Sequence, residues 1–313
     1  MKVLVTGGTG MVGSAFNDVR LEYPSHNFIL VGSKDYDLTN SDECDQMIST
    51  HNPDSIIHLA ARVGGVKGNS DFVADFYCDN IMMNTNLLNS AYKFKINKVL
   101  SLLSTCIYPD HAIYPLTEDQ IHSGPPHISN FGYAYAKRML DVHSRALRQQ
   151  HGCNFICAVP NNIYGPHDNF DLECGHVIPA IIRKVWEAKI HGEPPVFWGD
   201  GSPLREFTYS RDIAKALIFL LENYNKPDPI NIGNMTEMSI RSVVQQISTK
   251  LDYNSSIFWD IKKPSGQLKK PSSNNNFINI GWRNYNYTNF SEGIDQTCDW
   301  FLENYPNVRG VKL

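Results

Sequence analysis

Ser104, Cys106, Tyr133 and Lys137 are the side chains whose types and spacing point first to chemistry. Tyr133 and Lys137 stand four residues apart in a helix-forming stretch, which puts a phenol and an ammonium on one helix face. A cation a few Å from a phenol favours its charged form, so the pair is suited to passing a proton to or from a carbonyl oxygen. Ser104 follows the strand-like run Lys98–Leu103. Its hydroxyl therefore emerges at the carboxyl end of a parallel strand, where open α/β sheets bind ligands, and suits an oxygen that gains negative charge. These residues describe a carbonyl-reducing site. Cys106 adds a thiol to the same crevice, and a locally stabilised thiolate suits removal of a carbon-bound proton. His176, from another segment, is the candidate acid to match it. Bland alternatives stand beside both: a buried cysteine is commonly a small hydrophobe, and His176 also fits a helix-end histidine.

The elements that must position these groups follow in order. Val3–Thr6 is a buried-strand run, Gly7-Gly8-Thr9-Gly10-Met11-Val12-Gly13 a glycine turn, and Ser14–Leu21 a helix. Strand, glycine turn and helix form the dinucleotide-binding arrangement, with pyrophosphate at the helix N-terminus; a purely structural turn is the alternative. The second strand, Phe28–Gly32, ends in Ser33-Lys34-Asp35. A hydroxyl and a cation there favour a 2′-phosphate, hence NADP, whereas Asp35 would favour the ribose of NAD and Lys34 could be a solvated lysine. Asp37-Leu38-Thr39 leads into a helix capped by Thr39 or Ser41. Asp54–Ala61 is the third strand, its small Ala60 and Ala61 allowing a flat adenine or ribose to lie close. A helix from Asp71 to Phe94 packs on the sheet and either serves the core alone or also meets a partner subunit.

The Tyr133 helix runs to about Gln150, and Phe155–Val159 is the next strand. Pro160-Asn161-Asn162-Ile163 and the Pro, Gly and Asn residues after it mark the first crossing into a second lobe. A helix opening at Gly175–Pro179 carries Arg183 and Lys184. Pro195–Phe207 resembles a hairpin in which Trp198 and Arg205 flank a glycine turn, a pairing suited to a planar base and a diphosphate. Ser210-Arg211-Asp212 is expected to cap the Ile213–Asn223 helix, and Ile230–Gly233 to return as a strand. A helix over Ser239–Leu251, an exposed loop at Ser272–Asn276 and a last helix over Phe290–Phe301 complete the chain. The expected fold is α/β, a Rossmann-type doubly wound parallel sheet with a smaller mixed α/β C-terminal substrate lobe. Residues 1–166 and 206–233 are assigned to the cofactor domain, 167–205 and 234–313 to the substrate lobe.

Bulk properties narrow the partners. The 313 residues are 42% hydrophobic and 19% charged with a net charge of −4, which disfavours a broad nucleic-acid footprint. No apolar run approaches the roughly 18 residues that span a bilayer, and no secretory segment precedes the first strand. Seven cysteines without CxxC pairs suggest reduced thiols in a cytoplasmic enzyme and no bound metal.

At the level of whole motifs the chain resembles the extended short-chain dehydrogenase/reductases and, more narrowly, the GDP-L-fucose synthase family. The motifs are Ala60–Gly65, Leu103–Pro109, Ser129–Met139, Tyr164–Phe170 and Gly175–Pro179. The resemblance implies a homodimeric 3,5-epimerase and NADPH-dependent 4-reductase acting on GDP-4-keto-6-deoxy-D-mannose. It implies that Ser104, Tyr133 and Lys137 carry the reduction, and Cys106 and His176 the epimerisation. By the same resemblance Gly7 to Gly13, Ser33, Lys34, Asp37, Leu38, Leu59, Ala60, Ala61, Pro160 to Ile163 and His176 hold NADP. Asn162, Val177, Lys184, Trp198, Arg205 and Lys263 contact the nucleotide sugar. One motif differs: in Lys263–Gly266, Ser265 stands where the family has an acid. A GDP-colitose synthase and a non-catalytic nucleotide sensor of the same fold are the alternatives.

Overall fold

The computed structural model describes residues 1–263 and 267–311; the altered position Ser265 lies outside them. The first half of the chain alternates strand and helix: β1 (Lys2–Thr6), α1 (Met11–Val19), β2 (Asn27–Val31), α2 (Ser41–His51), β3 (Ser55–His58), α3 (Val66–Asp71), α4 (Val73–Lys93), β4 (Lys98–Leu102), α5 (Phe131–His151) and β5 (Phe155–Pro160). The second half is more mixed: β6 (Asn162–Tyr164), α6 (Val177–His191), β7 (Val196–Trp198), β8 (Leu204–Tyr209), α7 (Ser210–Asn223), β9 (Ile230–Ile232), β10 (Glu237–Ser239), α8 (Ile240–Lys250), β11 (Phe258–Asp260), α9 (Asn275–Asn279) and α10 (Phe290–Asn304).

Six strands form one parallel sheet in the order β2-β1-β3-β4-β5-β9. The order reverses at β1, so a crevice opens beyond the carboxyl ends of β1 and β3. Strands β3, β4 and β5 are buried along their whole length because helices cover both faces. The period of two then divides their side chains. Val3, Val5, Leu100 and Ile156 meet Phe16 of α1 and Ile213 and Leu217 of α7 on one face. Leu4, Ile56, Val99 and Phe155 meet Met47 of α2, Leu87 of α4 and Leu140 of α5 on the other.

A third core joins α6, α8 and α10 through Ile178, Ile182, Val244, Ile247, Ile294 and Phe301, with Phe207 and Tyr209 of β8 beneath them. Phe277 and Trp282, late in the chain, pack back on the sheet-side core.

Several local expectations are corrected. Pro195–Phe207 is no hairpin: β7 pairs in parallel with β11, while β8 lies between β6 and β10. The glycine turn therefore joins two different sheets. Asn40, not Thr39 or Ser41, caps α2, accepting the Asp42 amide at 2.9 Å. The helix expected over Asp71–Phe94 is α4, Val73–Lys93, and what the sequence missed is the short α3 that ends before it at Phe72, where ψ is +44°. Asp212 leaves the start of α7 uncapped and instead accepts the Thr288 amide at 2.7 Å and hydroxyl at 2.8 Å, tying α7 to the segment before α10.

The loop expected to be exposed at Ser272–Asn276 is buried in its first half, with Ser272, Ser273 and Asn274 each under a tenth exposed. Polarity did not keep these residues in water because each finds a partner inside. Ser273 donates its amide to Leu116 O at 2.9 Å, and Ser272 donates its amide to Glu206 Oε1 at 3.0 Å and its hydroxyl to Oε2. Asn161 donates to Oε2 of Glu206 at 3.3 Å. Glu206 thus joins the end of β5, β8 and the late loop. Glu206→Ala would strand these donors, and we expect it to lower unfolding stability by about 3 kcal/mol; an unchanged urea midpoint would refute the junction.

Candidate active site

A single cleft of about 1670 Å³ runs over the carboxyl ends of β1, β3, β4 and β5 to the start of α6. At one end is the glycine cradle. Gly7 sits at φ +71°, and a Cβ on Gly13 would lie 2.3 Å from Gly7 O, so helix and turn meet at a distance that only glycine permits. Gly10 is the N-cap of α1, and no side chain caps the amides that follow it. Such a helix start suits a diphosphate, and a dinucleotide fits the cradle. At the end of β2 the Gly32 amide donates to Asp35 Oδ2 at 2.7 Å, which folds that carboxylate onto its own turn. Ser33 faces the cleft; Lys34 is exposed beside it.

In the middle of the cleft, Ser104 caps a short 3₁₀ turn and accepts the Cys106 amide at 3.4 Å, which holds hydroxyl and thiol together. Helix α5 brings Lys137 beneath them, 2% exposed, its ammonium donating to Leu102 O at 2.8 Å. Burial lowers the Lys137 pKa to about 8. Burial, with the Cys106 sulfur, raises that of Tyr133 well above the ordinary phenol value. The expected field of Lys137 on Tyr133 does not appear: desolvation and the Cys106 sulfur set the direction, and Tyr133 keeps its proton, the form that can donate. Burial also raises Cys106, while the Ser104 hydroxyl and the Lys270 and Lys137 cations act against it.

His176 is the N-cap residue of α6 and lines this cleft. The loop before it is latched to the loop after β3, where the Gly65 amide donates to Cys174 O at 2.7 Å. Its Nδ1 lies 3.8 Å from Asp168 Oδ1. Val177, Trp198 and Arg205 line the far end, with Arg205 donating to Gln267 O at 2.8 Å.

The cleft therefore collects Gly7, Thr9, Gly10, Met11, Val12, Gly13, Ser33, Asp37, Leu38, Leu59, Ala60, Ala61, Ser104, Cys106, Tyr133, Lys137, Pro160, Asn161, Asn162, Ile163, His176, Val177, Trp198 and Arg205. Four expected residues do not line it. Gly8 turns its amide to Val31 O at 2.8 Å. Lys34 is exposed next to Ser33 and outside the lining. Lys184 donates to Val196 O at 3.0 Å and braces β7, and Lys263 lies 5.6 Å from the Trp198 ring. Two residues with a place in the site escaped the sequence. Lys270 donates to Thr105 O at 3.1 Å beside Cys106, and Asp168 stands behind His176. Among the described residues no cluster of His, Cys, Asp or Glu could hold a metal ion.

The model of the NAD dependent epimerase/dehydratase family matches residues 3–233. A GDP-L-fucose synthase of Dictyostelium discoideum is 40% identical over 311 residues, covering 98% of this chain and 97% of its own length. A GDP-L-fucose synthetase from Naegleria fowleri, crystallised bound to NADP, aligns with a TM-score of 0.92 at 42% identity, covering 98% of this chain and 94% of that one. A GDP-L-colitose synthase of Yersinia pseudotuberculosis is 34% identical over 314 residues, covering 98% of this chain and all of its own length.

The Lys270 cation stabilises the Cys106 thiolate, so Lys270→Met should move alkylation of Cys106 to higher pH and slow it several-fold near neutrality. Peptide-resolved mass spectrometry after iodoacetamide treatment reads Cys106 apart from the exposed Cys78. An unmoved pH profile for Cys106 would show that Lys270 serves only its hydrogen bond to Thr105.

Proposed function

This chain belongs to the NAD-dependent epimerase/dehydratase family and, within it, to the GDP-L-fucose synthase family, and on that premise we propose which residues do its chemistry. It converts GDP-4-keto-6-deoxy-D-mannose to GDP-L-fucose, epimerising carbons 3 and 5 and reducing carbon 4. NADPH supplies the hydride to carbon 4. A ketone at carbon 4 acidifies the hydrogens on both neighbouring carbons, so one oxygen site serves three steps. Ser104 hydrogen-bonds that oxygen as charge develops on it, and Tyr133 gives it a proton at the end. Lys137 holds Tyr133 and the cofactor ribose. Cys106 removes the carbon-bound proton and His176 returns one to the opposite face.

The observation that supports this assignment is that all five residues line one cleft continuous with the glycine cradle. Gly7 and Thr9 to Gly13 carry the diphosphate, and Ser33 with Lys34 reads the 2′-phosphate. The Gly32 amide holds Asp35, folding that carboxylate onto its own turn. Trp198 and Arg205 take the guanine and diphosphate end of the substrate. Residues 1–166 and 206–233 make up the cofactor domain and 167–205 and 234–313 the nucleotide-sugar lobe. Helices α4 and α5 expose Tyr77, Met82, Tyr92 and Val142, which supports a homodimer built on these helices and readable by sedimentation equilibrium. All seven cysteines are free, in keeping with a cytoplasmic enzyme.

NMR identification of the product from GDP-4-keto-6-deoxy-D-mannose and NADPH tests the reading as a whole; a faster turnover of another 4-keto nucleotide sugar would replace it. Lys34→Ala should weaken NADPH about tenfold or more and leave NADH nearly unchanged, because a charge-assisted phosphate contact is worth roughly 1.5 to 3 kcal/mol. Equal losses would show that Lys34 does not touch the phosphate. Cys106→Ser replaces the thiol with a far weaker acid and should slow deuterium uptake at carbons 3 and 5 by orders of magnitude in D2O, while NADPH is still consumed on the unepimerised ketone. Tyr133→Phe should do the reverse, blocking NADPH use yet leaving exchange. Wild-type exchange in Cys106→Ser would return Cys106 to the status of a packed thiol.

A further inference from the structure

We propose that Asp168 is a positioning residue for His176, engaging Nδ1 of the imidazole so that Nε2 is the atom that delivers a proton to the substrate carbon. The inference rests on the epimerisation reading above and deepens it, by naming the group through which His176 acts.

Asp168 lies in the turn after β6, next to His167 at φ +64°. Its carboxylate is 5% exposed. Oδ1 accepts the Asn169 amide at 2.7 Å and lies 3.8 Å from His176 Nδ1. Oδ2 is buried with no hydrogen-bond partner among the described residues. An asparagine would serve the turn equally well, since its amide oxygen accepts the same Asn169 amide. The charge itself is therefore unexplained by the loop, and a buried charge with an unsatisfied oxygen is a cost that folding alone does not require. On the cleft side Asp168 faces the His176 ring.

Two charged groups bear on that ring: the Asp168 carboxylate, which raises the His176 pKa, and the Arg309 guanidinium, which with burial works against it. The balance favours the imidazolium, the form that can act as an acid. In the step itself, the Cys106 thiolate takes the carbon-bound proton and the C–H electron pair passes into the enolate at oxygen 4. The Nε2–H bond of His176 then breaks as a new C–H bond forms on the other face. The ring is left neutral with its remaining proton on Nδ1, toward Asp168, which is the tautomer a carboxylate favours. Solvent restores the proton to Nε2 and removes the one on Cys106.

The test compares wild type with Asp168→Asn in D2O, with NADPH and GDP-4-keto-6-deoxy-D-mannose, reading deuterium at carbons 3 and 5 against NADPH oxidation. The ratio of exchange to oxidation should fall about tenfold or more, since a wrong tautomer in a comparable dyad is costly. Exchange needs the imidazolium, so its rate falls as pH rises through the His176 pKa; in Asp168→Asn that alkaline limb should move to lower pH. Asp168→Glu should restore part of the ratio. An unchanged ratio with an unmoved limb overturns the inference, and so does an equal fall in exchange and oxidation, which would mark a structural role. Should Asp168→Asn fail to fold, an NMR titration of His176 in the wild-type chain, assigned by its loss in His176→Gln, decides the matter. A pKa above the ordinary imidazole value supports the pairing, and one at or below it overturns the pairing. A wild-type chain that makes no GDP-L-fucose would sink the parent reading instead, and the titration would still judge Asp168.

Discussion

A buried ammonium sets the geometry of this site. Lys137 is placed where water cannot reach it, and its hydrogen bond to Leu102 O compensates part of that desolvation. The bond fastens α5 to the end of β4, and thereby fixes where Tyr133, one turn earlier, stands relative to Ser104 and Cys106. A second set of bonds fixes the same helix from behind. Asn84 of α4 donates to Ala136 O at 3.1 Å and pairs with His58 Nε2 at 3.0 Å, while His58 Nδ1 meets the Thr6 hydroxyl at 2.8 Å. Burial, aided by the Lys137 cation, lowers the His58 pKa to about 3, so the ring stays neutral and acts as a bridge between β1, β3 and α4. Strand ends and catalytic helix are thus held as one rigid body, which is what a site working over tenths of an ångström needs.

Burial acts on the site's groups in ways that suit different tasks. It keeps the Tyr133 phenol protonated, which suits a proton donor. At Cys106, burial raises the thiol, and Ser104, Lys270 and Lys137 act against it, which suits the base role proposed for it. The two sulfur-facing cations come from distant parts of the chain, α5 and the segment after β11. Only the folded protein can assemble that field.

Much of this was legible in the residues, because the rules that reveal it are local. Continuous apolar runs gave the buried parallel strands, glycine spacing gave the cradle, and an i,i+4 pair gave the face of α5. The failures share a different cause. The partner of β7 lies beyond α8, so no local pattern distinguishes a hairpin arm from a strand that pairs with β11. Ser272 to Asn274 have a loop's composition, yet Glu206 and Asn231 draw them inside; Asn231 donates to Leu116 O at 3.0 Å and Ser273 O at 3.1 Å. Lys270 sits in a polar stretch where one lysine looks like any other until the fold lays it on Thr105. Asp168 stood inside a motif already singled out, but its significance is a buried Oδ2 with no hydrogen-bond partner among the described residues, a property that exists only in three dimensions.

The two proposed reactions also differ in how much of the fold they depend on. Ser104, Tyr133 and Lys137 all belong to the sheet and its covering helix, so the reducing geometry is set within one rigid body. The epimerising pair is split: Cys106 follows β4, whereas His176 begins α6 in the other lobe. Its span is maintained by the Gly65 to Cys174 latch, the turn carrying Asp168 and the Glu206 junction. On the proposed roles, carbon-proton transfer draws on residues from both halves of the chain, so binding energy from the nucleotide end, at Trp198 and Arg205, is coupled to the proposed acid at His176.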